Sequence, residues 1–192
     1  ITGSSRGIGL AIARKLSKKK NNLIYINGRN QNNLLKAKKE IKNCHLIKGD
    51  ITNEKTLKKI SNKIKDLDVL ICNIGDGKSA TVGKEKKLDW EKSFNSNFYS
   101  AVDTIKAFEK KLIRAKGSIV CISSICGLEY IKGAPITYSV SKAALNTFVR
   151  SYSKFLGPKG VKINAIAPGN ILFKGSSWEK KLKSNRKKTI NL

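Results

Sequence analysis

A tyrosine and a lysine four residues apart carry the most definite chemistry in this chain. Tyr138 and Lys142 fall in the run Tyr-Ser-Val-Ser-Lys, and residues at positions i and i+4 of a helix share one face. A free tyrosine has a pKa of about 10, which is too high for easy proton exchange at neutral pH. Because a neighbouring ammonium favours the phenolate, the spacing predicts that Lys142 lowers the pKa of Tyr138 and makes the phenol a general acid and base.

A pair of serines offers a hydrogen-bond donor for the same chemistry. Ser123 and Ser124 directly follow the apolar run Ser118–Ile122, which is typical of a buried strand. Ligands of α/β proteins bind at the carboxyl ends of such strands. We therefore expect one of these hydroxyls to face a substrate oxygen.

A glycine-rich loop near the start of the chain could hold phosphate. Residues 2–9 read Thr-Gly-Ser-Ser-Arg-Gly-Ile-Gly and precede an amphipathic stretch. Glycines let the backbone turn tightly and approach a pyrophosphate, and the start of a helix presents free N–H groups to it. The wider gap between glycines comes first, unlike in the common Gly-x-Gly-x-x-Gly pattern, so the loop taken alone also fits an ordinary turn.

A basic residue stands where a nucleotide ribose would be recognised. The apolar run at residues 23–26 is followed by Asn27, Gly28 and Arg29. An acidic residue at this position would accept hydrogen bonds from the ribose 2′-hydroxyl of NAD, but residues 27–29 include no acidic residue. Arg29, together with Arg6, can pair with a 2′-phosphate instead, so NADP(H) is expected rather than NAD(H). The alternative is that Arg29 is an ordinary solvated charge.

Short apolar runs alternate with longer amphipathic stretches along the chain. Runs rich in Ile, Val and Leu predict buried parallel strands at residues 23–26, 45–48, 69–72, 118–122 and 162–167. Apolar residues at helical spacing predict helices at residues 8–19, 32–41, 54–64, 89–113 and 138–156. The alternation predicts an α/β fold, a three-layer doubly wound arrangement with a mostly parallel sheet.

These motifs in this order resemble the short-chain dehydrogenase/reductase family, in particular its 3-oxoacyl-carrier-protein reductase-like members. The resemblance runs from residue 1 to about residue 175 and places Ser124 fourteen residues before Tyr138. It implies a Rossmann fold and four catalytic residues: Asn97, Ser124, Tyr138 and Lys142. Ser124 would steady the substrate oxygen that Tyr138 protonates. Lys142 would bind the nicotinamide ribose, and Asn97, at a helix irregularity, would hold a water that relays protons.

The resemblance also implies a cofactor site along the carboxyl ends of the strands. Asp50 would accept from the adenine amino group, Ile51 would pack on the adenine ring, and the backbone at Ile171 would face the nicotinamide amide. The implied cofactor-binding residues are Gly3, Ser5, Arg6, Gly7, Ile8, Gly9, Arg29, Asp50, Ile51, Asn73, Ile74, Gly75, Tyr138, Lys142, Pro168, Gly169 and Ile171. Ile74 stands where the family has Ala, and Phe173 stands where it often has Thr.

The charge of the chain suggests a different class of function. Lys plus Arg number 40 against 13 Asp plus Glu, which gives a formal net charge of +27. Basic side chains neutralise phosphates, so a nucleic-acid-binding module is an alternative. The lysines are spread through the chain, however, and Lys, Ile and Asn share A/T-rich codons. Genome composition is therefore a sufficient cause, and we expect no nucleic-acid partner.

The cysteine content and the hydropathy limit the remaining classes of function. Cys44, Cys72, Cys121 and Cys126 form no Cys-x-x-Cys pair, and the single histidine is His45, so no metal site is expected. Free thiols in apolar runs fit a reducing compartment, which favours a cytoplasmic location. Because no apolar run approaches the roughly 18 residues of a membrane helix, no membrane partner is expected.

The sequence is interpreted as one incomplete nucleotide-binding domain spanning residues 1–192. It begins at Ile1 and contains no Met, so we expect a fragment with a truncated first strand and a truncated last strand. Residues 175–192 are interpreted as the start of a helical excursion beside the substrate. The expected substrate is a small carbonyl compound or secondary alcohol, free or bound to a carrier protein. The two long helices predict a homodimer or homotetramer. A non-catalytic dinucleotide-binding protein of the same fold is the alternative.

Overall fold

Parallel strands alternate with helices throughout the computed structural model, which describes residues 1–173, 175–184 and 186. The strands are β1 (Ile24–Gly28), β2 (Cys44–Lys48), β3 (Val69–Cys72), β4 (Ser118–Ile122) and β5 (Lys162–Ile166). The helices are α1 (Gly7–Leu16), α2 (Gln31–Lys38), α3 (Glu54–Lys63), α4 (Lys87–Phe94), α5 (Ser100–Ala115), α6 (Ile136–Leu156) and α7 (Ser177–Ser184). The predicted doubly wound α/β fold with a parallel sheet is confirmed.

The first two residues join two groups of strands. β1 pairs with β2, and β4 pairs with both β3 and β5, all in parallel. The backbone nitrogen of Ile1 donates to the Tyr25 carbonyl of β1 at 2.9 Å. The Thr2 N–H donates to the Ile71 carbonyl of β3 at 3.0 Å. Ile1 and Thr2 therefore lie where a strand between β1 and β3 would run, and the glycine-rich loop leaves from the middle of the sheet.

The core is built from regularly spaced apolar side chains on helices and strands. Ile105, Phe108 and Leu112 recur every three or four residues along α5 and are almost fully buried, so one face of this helix lies against the sheet. Ile119 and Cys121 of β4 are equally buried in the same cluster. A smaller cluster unites α1, α2 and β1. These clusters fix the strands whose carboxyl ends carry the predicted site residues.

The helix predicted at residues 89–113 is longer and irregular. It consists of α4 and α5 joined by a π-helical turn at Asn95–Tyr99. Asp89 lies in its first turn, where its carboxylate accepts the Lys86 N–H at 2.9 Å. Single π-helical turns inside α-helices are frequent at functional sites. The irregularity that the family resemblance implied at Asn97 is therefore present.

The segment after β5 folds back as α7, inside the excursion expected at residues 175–192. The rest of that excursion, residues 185 and 187–192, lies outside the described residues. Across the described residues, no helix combines the length and apolar character needed to cross a membrane. The same residues contain no group of three or more His, Cys, Asp or Glu side chains that could hold a metal ion.

Candidate active site

The glycine-rich loop makes a tight turn from the sheet into α1. Gly3 and Gly7 both have φ of +59°, a conformation that side chains disfavour. A Cβ at Gly9 would lie 2.6 Å from Nδ2 of Asn73 and 2.9 Å from the Gly3 carbonyl oxygen. Glycine is therefore required at each of these positions, because the backbone is left-handed at two and crowded at the third.

Asn73 and Ile74 support this loop from the end of β3. The Asn73 side-chain amide donates to the carbonyls of Thr2 and Gly3, both at 3.1 Å, and its N–H donates to Thr2 Oγ1 at 2.9 Å. Cγ1 of Ile74 lies 2.9 Å from the position of a Cβ on Gly3. Both residues therefore contact the glycine-rich loop.

Asn27 is a supporting residue that the sequence analysis did not select. It is buried at the end of β1, where its side-chain oxygen accepts the Gly3 N–H at 3.2 Å. Its amide nitrogen donates to the carbonyls of Ile47 and Gly49, both at 3.1 Å. The available signal was an asparagine inside an apolar strand, because a buried amide is normally hydrogen-bonded.

The predicted ribose and adenine contacts lie at the ends of β1 and β2. A Cβ at Gly28 would lie 2.9 Å from Oγ of Ser5, so Gly28 leaves room for that side chain. The Arg29 side chain is 81% exposed and lies 3.5 Å from a carboxylate oxygen of Asp50. Burial opposes ionisation of Asp50, but hydrogen bonds from Thr52 and the Arg29 guanidinium outweigh it and lower the pKa of Asp50.

Ile51, which follows Asp50 after β2, packs into the core. Its side chain is 3% exposed and belongs to the core cluster that contains Leu57 and Ile60. The packing of this side chain on an adenine ring stays a prediction. Two further predicted cofactor contacts lie at the start of α1. Arg6 is exposed immediately before this helix, and Ile8 is half-buried in its first turn.

The structure places Ser124 and Tyr138 together. Both side chains line one cavity, where the Ser124 hydroxyl lies close enough to favour the phenolate of Tyr138. Oγ of Ser124 accepts the Cys126 N–H at 3.2 Å. Ser123 is directed elsewhere, with its hydroxyl 3.5 Å from the Lys142 carbonyl. The second serine of the pair is therefore the one that faces Tyr138, as the resemblance implied.

Lys142 lies almost fully buried on the same helix as Tyr138. Its Nζ donates to the Ile122 carbonyl at 2.8 Å, and burial lowers the pKa of Lys142 to about 8. The pKa of Tyr138 is raised by burial, against the opposing effect of the Ser124 hydrogen bond. The predicted lowering of the Tyr138 pKa is therefore wrong for this arrangement, since the Lys142 ammonium is directed towards the end of β4.

Asn97 is fully buried in the π-helical turn and fastens the loop after β3. Its side-chain oxygen accepts the Asp76 N–H, and its amide nitrogen donates to the Asp76 carbonyl, both at 2.9 Å. A Cβ at Gly75 would lie 2.9 Å from the Asn97 oxygen and 3.1 Å from Nζ of Lys142. The side-chain ends of Asn97 and Lys142 therefore both lie close to the Gly75 backbone.

A cavity of about 210 Å³ opens beside the Ser124 and Tyr138 hydroxyls. Its lining comprises Gly77, Ser124, Ile125, Cys126, Ile131, Lys132, Gly133, Ala134, Pro135, Tyr138, Gly169, Asn170 and Trp178. Trp178 of α7 was not selected from the sequence, although its segment was. A wider surface depression near Lys111 and Arg114 contains none of the predicted site residues.

The loop after β5 completes this edge of the sheet. The Pro168 carbonyl accepts the Ile125 N–H at 3.1 Å, Gly169 lines the cavity, and Ile171 is 43% exposed. The residues fit a dinucleotide, because a glycine-rich turn with left-handed Gly3 and Gly7, the start of α1 and the exposed Arg29 all lie at the carboxyl ends of the strands. Such a sheet, with a glycine-rich turn at its carboxyl edge, defines a nucleotide-binding protein of the doubly wound class.

Comparison with known proteins identifies the group within that class. The model of the family described as short chain dehydrogenase matches residues 1–184. The chain belongs to the short-chain dehydrogenase family.

The chain is also similar to individual known proteins. The 3-oxoacyl-[acyl-carrier-protein] reductase of Rickettsia typhi is 34% identical over 173 residues, covering 89% of this chain and 71% of the relative. The enzyme of the same name from Aquifex aeolicus is 33% identical over 181 residues, covering 89% and 72%. A short-chain dehydrogenase/reductase from Caenorhabditis elegans, solved with cofactor, has 27% identity and a TM-score of 0.83, covering 88% of this chain and 68% of that one.

The buried ammonium of Lys142 gives stability a specific pH dependence. Unfolding returns its pKa from about 8 to the ordinary 10.5, so the unfolded state binds more protons between these values and stability rises with pH there. Relative to Lys142→Met, the wild-type free energy of unfolding is expected to increase by about 3 kcal/mol between pH 7 and pH 10.5. Chemical denaturation at a series of pH values measures this difference. The exposed Lys154→Met on the same helix is the control, and an equally flat difference for both variants would contradict the prediction.

Proposed function

We propose that the chain is an NADP(H)-dependent oxidoreductase that transfers a hydride between nicotinamide and a carbonyl compound or secondary alcohol. The observation that carries this proposal is that Ser124 and Tyr138 line one cavity together. Lys142 lies one helical turn from Tyr138 with its ammonium in the protein interior. This arrangement serves proton transfer to an oxygen that gains negative charge.

The residues divide the proton chemistry between them. When bound, the nicotinamide cofactor supplies the hydride. The raised pKa of Tyr138 keeps the phenol protonated at neutral pH, so it donates a proton to the substrate oxygen. The Ser124 hydroxyl donates a hydrogen bond to the same oxygen as charge develops on it. A phenol that is protonated near neutral pH can act as the general acid of carbonyl reduction.

The cofactor is proposed to lie along the carboxyl ends of the strands. Arg29 and Arg6 are the exposed cations suited to a 2′-phosphate. Asp50, kept ionised by Thr52 and Arg29, would accept from the adenine amino group. The loop at residues 3–9 would receive the pyrophosphate, while Lys142 would bind the nicotinamide ribose. Asn97 would keep the Gly75 backbone beside Lys142.

The substrate is proposed to be a ketone that enters the cavity next to Trp178, either free or attached to a carrier protein. Two relatives are named for reductases of a 3-oxoacyl group on acyl-carrier protein. The exposed Lys132 at the cavity and the net charge of +27 favour an acidic carrier electrostatically.

The role of Tyr138 can be tested by removing its hydroxyl. Tyr138→Phe is expected to lose at least about a hundredfold in turnover, the usual contribution of general acid catalysis, while NADPH still binds. NADPH oxidation by the protein from its full reading frame, with 3-oxoacyl thioesters and small ketones, measures turnover. Fluorescence titration measures binding. Tyr130→Phe is the control, because Tyr130 is 88% exposed. Near-normal turnover of Tyr138→Phe would refute the proposed function.

The choice of cofactor can be tested at Arg29. Arg29→Ser removes a charge-assisted bond to the 2′-phosphate, so the Kd for NADPH should rise about 10- to 100-fold, while the Kd for NADH stays unchanged. Fluorescence titration with each nucleotide measures both constants. Arg150→Ser, which removes an exposed arginine from α6, is the control. An equal loss for both nucleotides would show that Arg29 does not read the phosphate.

An aromatic face on the π-helical turn and α6 supports a homodimer. Phe98 and Phe148 meet edge to face with ring centres 6.1 Å apart, and Tyr152 stacks on Phe148. Tyr99 and Phe155, at the two ends of this face, are 49% and 46% exposed. We propose that a second copy covers these rings, since exposed apolar patches mark interfaces.

The dimer can be tested by placing a charge on this face. Phe155→Glu is expected to shift the protein from dimer or tetramer towards monomer, because association would bury the carboxylate. Light scattering after size-exclusion chromatography measures the mass. Tyr130→Glu, which alters an aromatic residue outside this face, should leave the mass unchanged. A monomeric wild-type protein would contradict the proposal.

A further inference from the structure

The Phe173 ring lies against the start of α1. A Cβ built on Gly7 would lie 2.7, 3.0 and 3.3 Å from three atoms at the outer end of this ring. Gly7 is the first residue of α1 and has a φ of +59°. The aromatic ring therefore rests directly on the glycine that opens the helix, at van der Waals distance from its backbone.

The ring lies beside polar groups whose hydrogen bonds it cannot satisfy. The first N–H groups of an α-helix lack partners within the helix, and the residue before α1, Arg6, makes no side-chain hydrogen bond to cap it. Peptide dipoles place a partial positive charge at this end, which favours an anion. An apolar ring offers no acceptor, whereas a pyrophosphate at this point would. The ring and a pyrophosphate therefore compete for one position.

Phe173 belongs to a folded turn. Its carbonyl accepts the Ser176 N–H at 2.9 Å, and its N–H lies 3.4 Å from Oγ of Ser176. Ser176 is buried, and its Oγ also accepts the Glu179 N–H at 3.0 Å. Helix α7 begins directly after Ser176 and carries Trp178, which lines the proposed substrate cavity. The position of the ring is therefore tied to one wall of that cavity.

We propose that Phe173 determines cofactor affinity, because its ring covers the pyrophosphate position at Gly7 and must leave before the dinucleotide binds. The inference rests on the proposed function, which makes the dinucleotide the ligand. Binding then selects the arrangement in which the ring has moved away. The apparent Kd is larger than the intrinsic Kd by the inverse of the fraction of molecules in that arrangement. Removing the ring should therefore tighten cofactor binding.

The test is a graded series at position 173 in the protein from its full reading frame. Calorimetry with NADP⁺ should give a Kd about five to ten times lower for Phe173→Ala than for the wild type. Phe173→Leu, which keeps a smaller apolar group, should give an intermediate value. Leu172→Ala is the matched control, because Leu172 is adjacent and 62% exposed, and its Kd should not change.

A nucleotide without a pyrophosphate separates this effect from a general change in the site. Adenosine 2′-monophosphate reaches only the adenosine end, so NMR titration should give the same Kd for the wild type and Phe173→Ala. Thermal melting shows whether each variant is folded, and Phe173→Leu provides the result if Phe173→Ala is not.

The outcomes distinguish this inference from the function on which it rests. If NADP⁺ binds the wild type and both Phe173 variants equally, or binds the variants more weakly, the inference is wrong and the proposed cofactor stands. Equal tightening of adenosine 2′-monophosphate would also overturn it, because the effect would not lie at the pyrophosphate. If NADP⁺ binds none of the proteins, the proposed function and this inference fail together.

Discussion

The whole site depends on hydrogen bonds that hold the glycine-rich loop between two groups of strands. Thr2 receives the Asn73 N–H at its hydroxyl and donates its own N–H to β3, while Asn27 of β1 accepts the Gly3 N–H. These polar groups are buried, so an unmade bond would cost about 1–3 kcal/mol. The same bonds draw Asn73 against Gly9, which leaves no space for a side chain there.

Burial sets the electrostatics of the catalytic cluster more than charge pairing does. Lys142 and Tyr138 share a helix face, yet desolvation lowers the pKa of the first and raises that of the second. Both shifts favour the neutral form, as expected when groups leave water. The Ile122 carbonyl holds the Lys142 ammonium, and Asn97 holds the adjacent loop. Hydrogen bonds from the protein itself therefore position the cluster.

The two ends of the proposed cofactor site differ in how they are prepared. At the adenosine end, Arg29 is largely exposed and is paired with Asp50 at 3.5 Å, a weak surface interaction that leaves the guanidinium available. At the pyrophosphate, the Phe173 ring rests on Gly7. Ile51, the neighbour of Asp50 in the sequence, packs in the hydrophobic core. Affinity and selectivity are thus expected to depend on different residues.

The sequence by itself determined the alternation of strands and helices, the tight loop at residues 3–9, and the i, i+4 placement of Tyr138 and Lys142. Each of these follows from local spacing, which fixes periodicity and turn geometry. Only the tertiary structure decided the direction of each pKa shift, the burial of Ile51 and the contact of Phe173 with Gly7. These depend on what surrounds a side chain after residues far apart in the chain have packed, as Gly7 and Phe173 show. Desolvation and close contact arise from that packing, so no local pattern could reveal them.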